Sequence, residues 1–177
     1  ALDTQVPIGI FKQNIEKLSE SKNLSDQQVA LLLIKISIEA SSFEDCVNYI
    51  DLTLKIGDCG DDTIIKHCLN VFRYFVDNPN ESLAIRFDQI SKFLLKNIDF
   101  DSLNILTKLI KNLHRSPDYF KDIIDSLLLI LKSKEKSKAT EVLKCINACF
   151  SSGLTSLSPF DKPFDLAKKV FEIVSEG

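Results

Sequence analysis

Apolar residues along this chain recur at intervals of three and four. Leu103, Leu106, Ile110 and Leu113 form one stripe, and Ile123, Leu127, Ile130 and Leu131 form another. This spacing puts side chains on one face of a helix. No stretch shows sustained alternation of period two, so no strand is expected. The pattern predicts nine helices, over 8–21, 26–40, 43–57, 62–76, 79–97, 102–114, 117–133, 138–152 and 162–175. Punctuation residues fit these limits. Ser25-Asp26-Gln27-Gln28 has the form of a capping box, in which a hydroxyl and an amide satisfy opposite ends of the first turn. Pro79 after Asn78, and Pro117 after Ser116, suit a first helical position, where the missing N–H is no loss. Asp61 or Asp62, Asp101 and Ser137 are further candidate starts, and Gly57, Gly60 and Gly153 fall where helices should stop.

The helices repeat. At a step of 37, Leu31, Cys68, Ile105 and Val142 fall in register, as do Leu32, Leu69, Leu106 and Leu143. In the following helix Cys46, Leu83, Phe120 and Leu157 align; Ile50, Phe87 and Ile124 align until Asp161 breaks the series. One helix pair cannot bury both of its apolar faces, whereas stacked pairs share a continuous core. The expected fold is all-α: an α-solenoid of about four stacked antiparallel helix pairs plus an N-terminal helix. A compact multi-helix bundle is the alternative. The expected organisation is a single helical-repeat domain over 1–177, with units at 24–60, 61–98, 99–136 and 137–177 and the N-terminal helix at 8–21.

Composition narrows the class. With 177 residues, 45% hydrophobic and 27% charged, the chain has the balance of a folded domain with a sizeable core. It contains no Met, which suggests a fragment or a processed chain. Its longest apolar runs, Val29 to Ile34 and Leu127 to Leu131, fall far short of the ~20 residues that span a bilayer. The opening residues resemble neither a signal peptide nor an Arg-rich transit peptide. The net charge of −3 conceals an asymmetry. Residues 1–88 hold 8 Lys/Arg against 14 Asp/Glu, and residues 89–177 hold 14 against 11. Five cysteines, Cys46, Cys59, Cys68, Cys145 and Cys149, form no C-x-x-C pair and read as small core residues of a reducing, intracellular compartment.

Two segments resemble a known kind of helical repeat. Residues Leu24-Ser25-Asp26-Gln27-Gln28-Val29-Ala30-Leu31-Leu32-Leu33-Ile34 resemble the start of a unit in the FAST-kinase-like and heptatricopeptide families of organelles. Residues Asn112-Leu113-His114-Arg115-Ser116-Pro117-Asp118-Tyr119-Phe120 resemble their inter-helix turn. The likeness spans residues 24–56 and 99–133 and lies in apolar spacing. It implies RNA handling or a subunit role in mitochondrial assemblies, and it assigns no functional residue. The acidic first half departs from an RNA-binding pattern.

Chemistry is sparse. His67 and His114 are the two histidines. Cys145 and Cys149 would share a helical face, yet a tetrahedral metal site needs two more ligands, and none is near in sequence. His67 beside Cys68 points to a different helix face and cannot serve it as a base. Asp58, Asp61 and Asp62 lack calcium-loop spacing. No phosphate-binding, nucleophile-elbow or zinc-protease motif occurs. Neither a catalytic residue, a cofactor nor a metal is expected.

The most distinctive surface feature is Lys132-Ser133-Lys134-Glu135-Lys136-Ser137-Lys138. With Lys108, Lys111 and Arg115, and with Lys121 nearby, it offers a candidate anion or RNA contact whose binding would be salt-sensitive. Lys near a helix C-terminus also simply complements the dipole. Phe11, Phe164 and Phe171 on the terminal helices are candidate protein contacts. The expected function is a non-catalytic scaffold or structural subunit whose partners are other proteins, without membrane insertion. An RNA-binding helical repeat, with a mitochondrial location on the family likeness, is the alternative.

Overall fold

The structure is a computed structural model that describes residues 8–133 and 136–152. Among these, all regular structure is helical. Helix α1 spans Ile8–Ser19, α2 Leu24–Ser37, α3 Phe43–Gly57, α4 Asp62–Asp77 and α5 Glu81–Ile85. Then follow α6 Phe87–Lys96, α7 Phe100–Leu113, α8 Lys121–Lys132 and α9 Ala139–Ser151. Short 3-10 turns lie at Ile38–Ala40, Pro117–Phe120 and Lys136–Lys138. The fold class is therefore all-α. The helix expected over 162–175 lies outside the described residues.

The helix expected over 79–97 is two helices, broken at Arg86, whose backbone leaves the helical region (φ −105°, ψ 14°). The guanidinium of this residue clamps Asp51 on α3, with Nε and Nη2 donating over 2.6 and 2.8 Å. Phe87, next along, is buried.

Helix starts follow a rule that periodicity did not reveal. Asn23, Ser42, Asp61, Asn80 and Asp99 each cap a helix, and they stand 19 residues apart. In every case a side-chain oxygen accepts from an amide two or three residues on, which satisfies an N–H the helix leaves open. Asp61 accepts from both Thr63 and Ile64, at 2.9 and 3.0 Å. Asp99 and Ser102 form a reciprocal capping box, at 2.7 and 2.8 Å.

Several expected starts are corrected accordingly. Ser25 is not a cap: its own amide donates to Asn23, and Gln27 reaches back to the Ser21 carbonyl at 2.9 Å. Pro79 precedes its helix, which Asn80 caps. Asp101 lies in the first turn behind Asp99. Ser137 sits in a 3-10 turn ahead of α9. Asp61 and the Ser116-Pro117 start hold.

The chain divides into two compact units, residues 1–90 and 91–177. In the first, α1 packs on α2, α2 on α4, and α3 on both α4 and α5. In the second, α7 and α8 each pack on α9. In each unit, then, a helix meets the one two places along. The starts of α2, α4, α7 and α9 are Leu24, Asp62, Phe100 and Ala139, separations of 38, 38 and 39 where the sequence suggested 37. Leu31, Cys68, Ile105 and Val142 are all buried, as are Cys46, Leu83 and Phe120, and Ile50, Phe87 and Ile124. A 38-residue set, Ile34, Phe72, Ile110 and Ala148, is buried completely. Leu157 and Asp161 lie outside the described residues.

Two turns need left-handed backbone. Gly60, between α3 and α4, has φ 74°. His114 ends α7 at φ 49°, where glycine is the usual occupant because it lacks the Cβ that crowds this region. Opposite effects are expected at the two ends of α7. Replacing Asp99 by Ala should lower stability by about 1 kcal/mol, through loss of the cap. Replacing His114 by Gly should raise it by about 0.5–1 kcal/mol, because relief of strain exceeds the added freedom of the unfolded chain. Urea unfolding monitored by circular dichroism measures both.

Candidate functional site

Helix α2 is apolar on two sides. Ala30, Leu31 and Ile34 face inward and are buried. Val29, Leu32 and Ile36 are 45, 57 and 61% exposed. Their spacing of three and four places them on one outward stripe. The fold does not demand this: 38 residues on, α4 carries His67, Asn70 and Tyr74 at the equivalent positions. Leu32 therefore departs from its register mates Leu69 and Leu106, which are buried.

A second feature is a cleft of about 300 Å³ in the first unit, where four helix ends meet. Ile38 and Glu39 come from the turn after α2, and Ser41, Phe43 and Cys46 from the start of α3. Tyr74 and Asn78 come from the end of α4, and Asn80 caps α5. The Tyr74 hydroxyl donates to Glu39 Oε1. That bond to a carboxylate pushes the Tyr74 hydroxyl above its usual range, so the phenol stays protonated. Asn78 Nδ2 donates to the Tyr74 carbonyl at 3.1 Å, and Asn80 Oδ1 is engaged by the Ser82 amide at 3.0 Å. Burial pushes the Cys46 thiol up, against a lowering contact from Asn80.

The basic residues singled out by sequence divide along α7. Lys138 Nζ donates to the Ile98 carbonyl at 3.3 Å, beside the start of α7. Lys111 and Arg115 lie at its other end, about 20 Å away along a 14-residue helix. Lys108 is half-buried between them, Lys132 is exposed at the end of α8, and Lys136 opens a 3-10 turn. Lys134 lies outside the described residues. The Arg115 guanidinium sits 5.8 Å from the Tyr119 ring centroid, and this ring is half-exposed. Phe11 is half-buried on α1, beside Lys12, which pairs with Asp45 of α3 at 2.7 Å. Phe164 and Phe171 lie outside the described residues.

Cys46, Cys68, Cys145 and Cys149 are buried free thiols, and Cys59 is an exposed one. Burial pushes Cys68 and Cys145 up to about 12 and raises Cys149 as well. His67, on the same helix as Cys68, is half-buried while Cys68 is fully enclosed. Among the described residues no group of three His, Cys, Asp or Glu is placed to hold a metal. Nor is any helix among them long and apolar enough to cross a membrane. Neither the outward stripe nor the cleft was anticipated from sequence. The signal for the stripe was present, since α2 has too many apolar residues for one face; the cleft has no local signal. Against known protein families, curated proteins and solved structures, the chain has no match in any of the three comparisons.

Two outcomes follow for the thiols. At pH 8 Cys59 should react with a thiol reagent within minutes, while Cys68, Cys145 and Cys149 react only as the protein unfolds. Their folded pKa values lie above the unfolded thiol value. The associated stability is thus complete below about pH 8.5 and is lost as pH rises toward 12. Denaturation midpoints that hold steady up to pH 8 and fall above pH 9 would match this; a rise in that range would oppose it.

Proposed function

We propose that the chain is a non-catalytic interaction module, a scaffold or structural subunit of a larger assembly built from consecutive helix pairs. The observation that carries this reading is the outward stripe of Val29, Leu32 and Ile36. Apolar area left facing water is unfavourable, and a contiguous patch of it marks an interaction surface. The equivalent face of α4 is polar, so the stripe serves something other than the repeat itself. Four enclosed thiols with raised pKa values fit an intracellular, reducing compartment, and the family likeness points to a mitochondrial one.

RNA contact is the second reading. Arg115 over the half-exposed Tyr119 ring offers a base a stacking surface. The division of the lysines between the two ends of α7 weighs against a single phosphate track.

The test is to isolate native complexes through tagged wild-type protein and through a Leu32→Glu variant. The reading predicts a stoichiometric protein partner that Leu32→Glu loses by about tenfold or more, as burial of a charge without a partner implies. The melting curve should be unchanged, and Asn70→Glu on α4 should leave capture intact. A wild-type complex without a stoichiometric protein, or one indifferent to Leu32→Glu, would contradict the reading.

A further inference from the structure

The cleft at the helix ends of the first unit has the chemistry of a cation receptor. We infer that it binds the guanidinium of an arginine side chain presented by a partner protein. Four observations converge on this. First, Glu39 supplies a carboxylate at the mouth. Its Oε1 accepts the Tyr74 hydroxyl, and Oε2 has no hydrogen-bond partner among the described residues. No cation among the described residues pairs with Glu39, so its charge is uncompensated. Second, two aromatic residues, Phe43 and Tyr74, line the same space, and Phe43 is 44% exposed. An aromatic face attracts a cation through its quadrupole, and a planar guanidinium also stacks on it.

Third, the wall opposite in character is built of amide and hydroxyl groups, Ser41, Asn78 and Asn80, whose oxygens accept from the five N–H donors of a guanidinium. The end of α4, which carries Tyr74 and Asn78, presents the negative end of a 16-residue helix to the cleft. The start of α3 has the opposite polarity, but Glu44 and Asp45 in its first turn offset it. Fourth, residues 1–90, which form the first unit, hold 8 Lys/Arg and 14 Asp/Glu. That field draws cations toward the unit and repels anions. The volume of about 300 Å³ admits one long side chain, with Ile38 and Cys46 taking its methylenes, and is too small for an entire folded surface.

The assignment of the guanidinium to a partner protein rests on the interaction-module reading; the receptor chemistry of the cleft does not. The probe is accordingly a peptide. Acetyl-Gly-Arg-Gly-amide is titrated into the intact chain and followed by backbone amide chemical shifts. Its citrulline counterpart, equal in shape and uncharged, and its lysine counterpart are titrated in parallel. The arginine peptide should saturate in the millimolar range, with shifts concentrated at Glu39, Phe43, Tyr74 and Asn80. The citrulline peptide should give no saturable shift. Glu39→Gln, on an exposed side chain whose loss leaves the core intact, should weaken binding by about tenfold, the usual worth of a charge-assisted hydrogen bond. Tyr74→Phe should weaken it by about two- to threefold through loss of the hydroxyl that orients the carboxylate.

Equal binding of the citrulline peptide, shifts located elsewhere, unchanged affinity in Glu39→Gln, or no saturation at tens of millimolar would each overturn the inference. Equal binding of the lysine peptide would overturn the choice of guanidinium. Because no partner enters this experiment, its failure leaves the Leu32→Glu capture result standing, and the reverse holds too.

Discussion

The constraint on which the structure depends is the placement of helix starts. A helix begins with amides that have no carbonyl to bond, and something must satisfy them. Here Asn23, Ser42, Asp61, Asn80 and Asp99 do so at equal intervals of 19 residues. Two intervals make 38, so α2 and α4 begin at equivalent points and lie against each other. In the second unit α7 and α9 do the same, with a separation of 39. Equal lengths let facing side chains recur, which is why Ile34, Phe72, Ile110 and Ala148 are all enclosed. The caps contribute little individually, on the order of 1 kcal/mol each, yet they fix the register in which the apolar faces meet.

Much of this was legible in the sequence, and the reason is physical. Apolar spacing of three and four reports directly on helices, so their number and location over the described residues followed from it. The caps were harder to find. Ser, Asn and Asp are common, and a cap is defined by where its oxygen points; Ser25 and Asp101 were plausible by identity, while Asn23 and Asp99 have the geometry. The break at Arg86 was hidden because its cause, the clamp on Asp51, is 35 residues away.

The functional surfaces show where sequence reading stops. Periodicity tells which residues are apolar and not which are covered. Leu32 and Leu69 share a register, yet one faces water and the other is enclosed. The basic residues are close in sequence, but a 14-residue helix holds Lys111 and Arg115 well away from Lys138. The cleft joins residues from Ile38 to Asn80, contributed by four helix ends, and no local motif records that. What emerges is a division of labour within the first unit: an apolar stripe on the outside of α2 and a polar, aromatic cleft at the helix ends.

The packing of each helix on the one two places along is the claim from which the rest descends, and native-state hydrogen exchange addresses it most directly. If α2 and α4 interlock through Leu31, Ile34, Cys68 and Phe72, their amides open together and rank among the slowest of residues 8–90. The account predicts matched protection on these two helices, and likewise on α7 and α9. Exchange of α2 at the rate of a fraying terminus while α4 stays protected would contradict it.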